Sequence, residues 1–563
     1  MQWAEAVRHL KTVYDTNTQT WHSPSVKLLF NPEASLGQVM LEILLRSPDR
    51  VMQRDMDTGR SMTYAEFRTR LVRFAQNLTA NGVRQGDVVT LANANSENLA
   101  PLACALLTIG APMNPLAPSF NEDDMANMLR TTKPKLVFCD DNNYEVVRNA
   151  LEKVVTDKDQ MPPLYVLESD REDVKHAEDL LKETGQEENF AAPYLGDSHK
   201  TLAGILCSSG SSGVHKGVRM THAVCVHKTT MFRFSSVPTV EFTFSSLYWT
   251  TGFTFLLGPF FSGGIRLFTR NAFNEDDLFT AIEKHRATVI FTPPASVSAM
   301  LAHPKTKSAD FSSVRFWITG GSYVPEGLRD RMDALLAPTG GRLLNGIGPT
   351  ETGLIAIDLV RRKPNAIGPL MPNIMVRIVD ESGTRLGVGE PGELLVKSVE
   401  GFGGYYENEE ATAQAIDADG FFRTGDVAYI DEDSYLYVVD RQKDIFKYRN
   451  YQISPNDLEA IISRIEGVKS VCVVGIPDAE SATDVPAAAI VRTGDASALE
   501  AAQVRTIVDA QVSDFKRLRG GVYFVEELPK THSGKILRRK VTEMIRAMNQ
   551  HQQASETNGL DKC

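Results

Sequence analysis

The chain has 563 residues, of which 42% are hydrophobic and 23% charged. This composition is typical of globular proteins, and the length predicts several compact units. The formal net charge of −11 argues against nucleic acid as the main partner, because neutralising phosphates requires a basic surface. The cysteines are scattered and form no CxxC pair, so the sequence indicates neither a zinc site nor a disulfide framework.

The region from about residue 60 to residue 300 alternates short, β-branched apolar runs with longer amphipathic segments. Strands that alternate with helical segments need crossover connections, which predict largely parallel sheets covered on both faces. The region therefore indicates an α/β fold.

One stretch within this region is long enough to span a bilayer, because no charged residue lies between Glu97 and Glu122. Several prolines interrupt it, and a proline inside a helix removes a hydrogen bond and clashes with the preceding turn. We therefore expect a short buried helix that leads into a turn and a strand, and no transmembrane span.

The pattern changes twice in the last third of the chain. After about residue 365, closely spaced alternating runs such as VRIVD and GELLVKS predict a small antiparallel sheet or β-barrel. Beyond residue 440, helical and strand signals mix as in a separate α+β unit. The predicted organisation is an N-terminal domain at 1–440 with a β-rich subdomain at about 365–440, a C-terminal domain at 441–548 and a disordered tail at 549–563.

The sharpest motif is a Ser/Gly-rich run that directly follows the apolar strand TLAGILC. Glycines let backbone N–H groups turn toward an anion, hydroxyls add donors and a lysine adds positive charge, so the run predicts a phosphate cradle. A flexible connector is the alternative, and the residue order differs from a Walker A loop. The expected phosphate-binding residues are Ser208, Ser209, Gly210, Ser211, Ser212, Gly213 and Lys216.

Three further motifs follow in chain order. Residues 345–353 (NGIGPTETG) end a β-type segment, and residues 421–426 (FFRTGD) place Asp426 in a tight turn before a hairpin that Arg441 closes. Residues 529–539 (PKTHSGKILRR) set Lys535 in a Gly loop. With these four motifs in order, residues from about 35 to 545 resemble the adenylate-forming superfamily of acyl-CoA synthetases, coumarate–CoA ligases and beetle-type luciferases.

The resemblance implies an ATP-dependent enzyme that activates a fatty or aromatic carboxylic acid as its acyl-AMP and then transfers the acyl group to coenzyme A. It implies that Thr350 and Glu351 contact the α-phosphate and Mg²⁺, with Glu351 as the metal ligand. Asp426 would accept the ribose hydroxyls, and Arg441 would support the ribose. The residues expected to flank the nucleotide are Gly320, Gly321, Ser322, Gly346, Ile347 and Gly348.

The same resemblance assigns three lysines near the reacting atoms. Lys535 would bridge the carboxylate and the α-phosphate in the transition state, where negative charge accumulates. Lys443 matches the hinge about which a mobile C-terminal domain rotates between the two half-reactions. Lys447 stands where both CoA ligases and luciferases keep a lysine.

The acyl pocket implied by the resemblance mixes polar and aliphatic groups, namely Tyr248, Trp249, Thr250, Thr251, Tyr323 and Leu354. Four positions depart from the family pattern. His215 replaces a proline, Ile347 replaces an aromatic that stacks on adenine, Trp249 or a neighbour replaces a histidine near the acyl carboxylate, and Asn450 replaces a glycine on the pantetheine path. Tolerated drift is one interpretation, and impaired thioester formation is the other.

Two other functions remain open at the level of sequence. One is a luciferase-like monooxygenase, and the other is a catalytically weakened acyl- or nucleotide-binding homologue. The expected partners are the acid, ATP and CoA, and the expected assembly is a monomer or weak homodimer. We expect a cytoplasmic protein, and the resemblance keeps the peroxisome open although the chain ends in Asp561, Lys562 and Cys563 and not in Ser-Lys-Leu.

Overall fold

The computed structural model describes residues 11–26, 31, 34–209, 215–230, 238–321, 324, 326–359, 362–380, 382–441, 446–449, 451–453, 455–478, 483–493, 499–529, 536, 538 and 540–549. Within this part of the chain the strands form three large sheets and two small ones. The predicted α/β fold is confirmed.

An eight-stranded sheet carries the two strands that contain Gly320 and Gly346. Its inner strands are parallel, and a short antiparallel strand pairs at each edge. In spatial order the strands are Ala356–Ile357, Arg342–Ile347, Phe316–Gly320, Val289–Phe291, Val240–Thr243, Ile265–Phe268, Val51–Asp55 and Ser61–Thr63.

A seven-stranded sheet carries the strand that precedes the Ser/Gly-rich run. Its pairings are parallel except for that strand and its return strand, which are antiparallel. In spatial order the strands are His215–Thr221, Leu202–Ser209, Met113–Pro115, Val89–Ala92, Leu136–Cys139, Leu164–Val166 and Lys175–His176.

The β-rich region after residue 365 forms a third, antiparallel sheet. Two strands from the start of the chain join its edge, a long-range pairing that sequence patterns do not show. The antiparallel sheet is as predicted, but the described strands form an open order and no closed barrel: Val13–Asp15, Thr20–His22, Ile374–Val379, Gly392–Ser398, Phe422–Ile430, Tyr435–Arg441 and Gly368–Pro369.

The C-terminal region is a separate α+β unit, as predicted. A hairpin of Phe446–Tyr448 and Tyr451–Ile453 lies beside a three-stranded sheet of Val468–Asp478, Thr483–Arg492 and Val522–Phe524. The exact domain limits at 440 and 548 stay a prediction, and most of the predicted tail lies outside the described residues.

Helices cover the sheets, and several begin with side-chain caps, such as Ser35 and Thr63, which satisfy backbone N–H groups of the first turn. The α-helices span Leu36–Arg46, Tyr64–Ala80, Leu99–Ile109, Glu122–Thr132, Tyr144–Val154, His222–Thr230, Thr250–Ser262, Glu275–Glu283, Pro294–Ala302, Glu326–Leu336, Glu409–Ala415, Pro455–Ile462 and Ala501–Asp509. Short 3₁₀ helices span Asp141–Asn143, Lys158–Gln160, Ala177–Leu181, Pro304–Lys307, Ala337–Thr339 and Asp514–Lys516.

The uncharged stretch after Glu97 forms the expected short helix, Leu99–Ile109, and every residue of that helix is buried. Gly110 ends the helix with φ +73°, and the strand Met113–Pro115 follows. In the described part of the chain, no helix combines the length and the apolar character that crossing a bilayer requires.

Candidate active site

A cavity lies at the carboxyl ends of parallel strands in the eight-stranded sheet, where open α/β sheets commonly bind ligands. The ends of Phe316–Gly320 and Arg342–Ile347 form one side of it, and the start of helix Thr250–Ser262 forms another. Of the residues predicted from the sequence, the cavity is lined by Gly320, Gly321, Gly346, Gly348, Thr350, Leu354, Trp249, Thr250, Thr251 and Lys447.

Two glycines are required here by close approach of backbone. A Cβ atom on Gly320 would lie 2.4 Å from the carbonyl oxygen of Gly346 on the neighbouring strand. A Cβ atom on Gly348 would lie 2.2 Å from the carbonyl oxygen of Gly353. Both distances are too short for a side chain, so these positions keep the wall of the cavity open as bare backbone.

The predicted phosphate cradle is a β-hairpin. Ser208 and Ser209 belong to the strand Leu202–Ser209 itself, and Lys216 lies directly opposite Ser208 on the return strand. The intervening residues Gly210, Ser211, Ser212 and Gly213 lie outside the described residues. The register places a hydroxyl and a cation opposite each other on the two paired strands.

Glu351 joins this hairpin to the cavity. Its Oε1 accepts hydrogen bonds from the Ser208 hydroxyl at 2.8 Å and from the Tyr405 hydroxyl at 2.9 Å. The Lys216 ammonium lies 4.8 Å from the centre of the Tyr405 ring, within cation–π range. Burial, together with the Glu351 carboxylate, raises the pKa of Tyr405, so this hydroxyl stays a hydrogen-bond donor.

Thr350 faces the cavity beside Glu351. The Thr250 hydroxyl donates to the Thr350 hydroxyl at 3.3 Å, and the Lys228 ammonium donates to the Thr350 carbonyl oxygen at 3.3 Å. Residues separated by about 100 positions in sequence therefore meet at one backbone turn.

The Mg²⁺ expected at Glu351 would be held by few protein ligands. The described residues contain no cluster of three or more His, Cys, Asp or Glu side chains that could hold a metal ion. A single carboxylate fits Mg²⁺, because this ion keeps several waters and binds substrate phosphates in nucleotide sites. Glu351 and the neighbouring Ser208 hydroxyl are therefore suitable for it.

The two residues predicted to contact the ribose, Asp426 and Arg441, lie on the antiparallel sheet. Asp426 is buried and sits opposite Arg441 in the register of strands Phe422–Ile430 and Tyr435–Arg441. The prediction of a tight turn at Asp426 is wrong, because the residue continues a strand. The glycine before it, Gly425, has φ +69°, so the backbone is irregular there although the strand continues.

Trp249 lines the cavity, whereas Tyr248 is not among the described lining residues. Tyr248 is buried and packs edge-to-face on Phe120, with ring centres 5.3 Å apart, and on Trp249 at 4.8 Å. Tyr248 therefore contacts a residue that lines the cavity, Trp249, and its predicted place in the acyl pocket stays a prediction. Ile347 is half-buried and packs in the core under the third sheet.

Several predicted site residues cannot be placed. Ser322, Tyr323, Lys443, Asn450 and Lys535 lie outside the described residues. Their roles stay predictions. Lys447, which is described, lies on strand Phe446–Tyr448 and brings the C-terminal region to the edge of the cavity.

Sequence reasoning missed two residues of this site. Tyr405 belongs to the run FGGYYEN, whose glycine pair signals a special backbone, and Gly404 indeed has φ +85°. Lys228 carries no local signal, because it lies in an ordinary helical stretch and reaches the cavity through tertiary packing.

Comparisons with known proteins agree with this geometry. The AMP-binding enzyme family model matches residues 42–406, and the model of the AMP-binding enzyme C-terminal domain matches residues 457–535. The first match covers more than half of the chain. This protein therefore belongs to the AMP-binding enzyme family, whose members form adenylates.

Curated relatives cover nearly the whole chain. 4-Coumarate–CoA ligase 4 of Arabidopsis thaliana is 29% identical over 519 residues, which is 88% of each protein. A probable CoA ligase of Humulus lupulus is 30% identical over 87% of this chain and 89% of its own length. A luciferin 4-monooxygenase of Photinus pyralis is 27% identical over 86% of this chain and 89% of its own length.

Solved structures share the fold. An amide bond synthetase from Marinactinospora thermotolerans superposes with a TM-score of 0.77 at 25% identity, covering 90% of this chain and 99% of that one. An anthranilate–CoA ligase in complex with anthranoyl-AMP gives a TM-score of 0.69 at 20% identity, covering 92% of this chain and 99% of that one.

Proposed function

We propose that this protein is an AMP-forming acid–thiol ligase, which activates a carboxylic acid as its acyl-AMP, releases pyrophosphate and transfers the acyl group to CoA. The observation that carries the proposal is the junction at Glu351. There, the Ser208–Lys216 hairpin, which suits phosphate, meets the Thr350 turn, which opens into a largely apolar cavity.

In the first step an oxygen of the substrate carboxylate attacks the α-phosphorus of ATP. An O–P bond forms, the bond to the β-phosphate oxygen breaks, and pyrophosphate leaves. Because anions approach each other, catalysis is mainly electrostatic. Lys216 and the Ser208 hydroxyl would hold the phosphates, Thr350 would contact the α-phosphate, and Lys535 would stabilise the charge that develops there.

Glu351 is suited to hold Mg²⁺, which would neutralise phosphate charge when bound. The chain's own contribution is to fix this carboxylate. Ser208 and Tyr405 both donate to Oε1, so the carboxylate is oriented before the nucleotide arrives. Asp426, buried opposite Arg441, would accept the ribose hydroxyls and set the position of the α-phosphate.

In the second step the CoA thiol attacks the acyl carbonyl. A C–S bond forms, AMP leaves with the electrons of the C–O bond, and the thiol proton is lost to solvent. Lys447 on the C-terminal hairpin lies at the cavity edge, which supports a role for the C-terminal region in completing the site.

The cavity favours a fatty or aromatic acid. Its apolar lining comprises Phe255, Phe291, Leu354, Met371 and Ile374, with Ile318 beside them. Burying an acyl chain or ring there contributes about 25 cal/mol per Å² of apolar surface removed from water.

A pyrophosphate-release assay tests the proposal. ATP, Mg²⁺ and a panel of fatty and aromatic acids are supplied with and without CoA, and Lys535→Ala is run alongside. The proposal expects acid-dependent release that accelerates with CoA and collapses in the variant. Release that no thiol accelerates would contradict CoA as the acceptor, and an amine acceptor would then be tested next, because one structural relative is an amide bond synthetase.

Luciferin oxidation is not favoured as an alternative. The structure places Trp249, with Thr250 and Thr251, at the cavity wall where the resemblance expects histidine and aromatic residues in light-emitting members. A silent binder would need neither Lys535 nor the oriented Glu351 carboxylate. The assembly as a monomer or weak homodimer and the cytoplasmic location stay predictions. A relative of Arabidopsis thaliana is named a peroxisomal OPC-8:0-CoA ligase.

A further inference from the structure

Lys228 is a cation in the cavity wall that the proposed chemistry does not use. It lies on helix His222–Thr230 and lines the cavity together with His227. Its ammonium contacts the carbonyl oxygen of Thr350 at 3.3 Å and the sulfur of Met220 at 3.8 Å. Among the described residues it forms no ion pair with a carboxylate.

This environment is costly for a positive charge. Burial lowers the pKa of Lys228 to about 8, although Cys225 and Glu351 both attract the charged form. A single carbonyl and a thioether do not replace the hydration of an ammonium group. A methionine would fill similar space without this cost, so packing alone does not explain a lysine.

The side chain follows a defined path to the cavity. Gly353 has φ +74°, and a Cβ atom there would lie 2.7 Å from Cε of Lys228. The bare backbone of Gly353 therefore forms a slot for the lysine stem, and the Thr350 carbonyl holds its tip. The position of the ammonium is built into the turn that carries Thr350 and Glu351.

The ammonium lies in the cavity wall, beside the turn that carries Thr350. The Ser208 hydroxyl donates to Glu351, and Lys216 lies opposite Ser208 on the paired strand. These three residues are not among the described residues that line the cavity, whereas Lys228 is. Its neighbour His227 is held neutral, because burial lowers the pKa of that imidazole to about 4. Lys228, like Lys447, is thus a cation in the wall of a cavity whose apolar lining includes Phe255 and Leu354.

We propose that Lys228 binds a second oxygen acceptor on the substrate, so that the enzyme selects carboxylic acids that carry another carboxylate, hydroxyl or oxo group besides the one activated. A carboxylate satisfies the ammonium best, because the pair is charge-assisted. The inference rests on the proposed function for the identity of the cavity as an acyl pocket.

The test compares matched acids on the wild type and on Lys228→Met. The sets are hexanoic, 6-hydroxyhexanoic and adipic acid, and cinnamic, 4-hydroxycinnamic and 4-carboxycinnamic acid. The wild type is expected to prefer the oxygenated members in at least one set by tenfold or more in kcat/KM for pyrophosphate release. Lys228→Met should lose that preference, whereas Lys228→Arg should retain part of it.

Lys200→Met is the matched control, because the Lys200 side chain is 85% exposed, and it should leave the preference unchanged. The same acids are also tested as stabilisers of the protein in thermal unfolding with a non-hydrolysable ATP analogue. Oxygenated acids that stabilise the wild type but not Lys228→Met, with no pyrophosphate release, would support the inference. The same result would contradict the ligase function. No preference in the wild type by either readout, or a preference that survives in Lys228→Met, would overturn it.

Discussion

Glu351 illustrates how much of this site depends on contacts between distant residues. Its carboxylate is fixed by Ser208, which is 143 positions away, and by Tyr405, which is 54 positions away. Neither contact follows from the pattern around Glu351 itself. The resemblance identified the residue, but only the fold shows why its carboxylate has one orientation.

Glu351→Gln is therefore expected to lower acid-dependent pyrophosphate release by about 100-fold or more, because an oriented anionic ligand near the developing charge is lost. The measurement is steady-state pyrophosphate release at saturating ATP and Mg²⁺. Glu407→Gln, at an exposed position two residues beyond Tyr405, is the control. Equal activity of the two variants would contradict the role of Glu351.

Tyr405→Phe tests the orientation of the Glu351 carboxylate while leaving that carboxylate in place. The variant keeps the ring beneath Lys216 but removes the hydroxyl that donates to Glu351. A hydrogen bond to a charged group contributes about 1.5–3 kcal/mol, so we expect release to fall by roughly 10- to 100-fold, with a larger effect on kcat than on the KM for the acid. An unchanged kcat would show that Ser208 alone orients the carboxylate.

His215 gives a pH-dependent prediction. It packs on Phe120 at 4.9 Å between ring centres, and neither ring nitrogen has a hydrogen-bond partner among the described residues. Burial lowers its pKa to about 4, so the folded protein holds it neutral while the unfolded chain binds a proton below about pH 6.5. The free energy of unfolding therefore falls as the pH drops from about 6.5 toward 4.

His215→Phe should remove the contribution of this imidazole to the pH dependence of the free energy of unfolding. The slope of unfolding free energy against pH in that window should decrease by about 1.4 kcal/mol per pH unit, measured by chemical denaturation between pH 7 and pH 5. His176→Gln, at a partly exposed position on the sheet edge, is the control. A slope that His215→Phe leaves unchanged would mean that the imidazole is protonated in the folded state.

At the scale of elements, periodic apolar segments were the most predictable. The helix Leu99–Ile109 and the strands around residues 89, 136 and 289 follow directly from their sequence patterns. The long strand Thr483–Arg492 was missed, because Pro486 and a run of alanines are poor strand signals. This strand pairs with Val468–Asp478 along its full length, and these backbone hydrogen bonds stabilise it despite its low strand propensity.

The two N-terminal strands were missed for a different reason. Thr20–His22 pairs with Ile374–Val379, about 350 residues away, and Val13–Asp15 pairs with Thr20–His22. No local pattern encodes a partner at that distance. The pattern after residue 365 predicts either a small antiparallel sheet or a β-barrel, because strand density does not distinguish an open sheet from a closed one.

Helix–helix packing gives a prediction that uses two helical glycines. Gly37 lies in helix Leu36–Arg46, and a Cβ atom there would be 2.4 Å from the Cα of Thr108. Gly327 lies in helix Glu326–Leu336 with nothing within 4 Å of an added Cβ. Gly37→Ala should lower the melting temperature, since the two backbones must separate.

Gly327→Ala is the matched variant and should stabilise the protein by about 0.5–1 kcal/mol, because alanine has less freedom to lose on folding. Thermal unfolding monitored by circular dichroism compares the two. Equal destabilisation, or stabilisation by both variants, would contradict the close contact of the helices at Gly37.

At the scale of the whole molecule, the C-terminal region is held to the rest by a small polar and aromatic junction. The buried Lys516 ammonium lies 3.2 Å from Asp124 and 2.9 Å from Asp457. Burial alone would lower the pKa of Lys516, but the attraction of both carboxylates outweighs it and raises the pKa. Tyr451 stacks on Phe515 at 4.3 Å and meets Trp249 at 5.0 Å.

This junction reaches the cavity, because Trp249 also lines the cavity. Asp124→Asn should loosen it, since removing one partner leaves a buried charge less well compensated. Hydrogen exchange at residues 451–453 and 513–519 should accelerate by tenfold or more. Asp123→Asn, whose side chain is 78% exposed, should leave exchange unchanged, and an equal effect of both variants would contradict the junction.

If the site forms an acyl-adenylate, pyrophosphate can reverse that step and return AMP to ATP, which ATP–pyrophosphate isotope exchange measures. The assay supplies ATP, Mg²⁺, labelled pyrophosphate and one acid at a time from the matched sets, with no thiol or amine present. We expect label to enter ATP only when an acid is present, most rapidly with oxygenated acids, and almost no label to enter ATP in Glu351→Gln. Absence of exchange with every acid, in protein that still binds ATP, would contradict the formation of an acyl-adenylate.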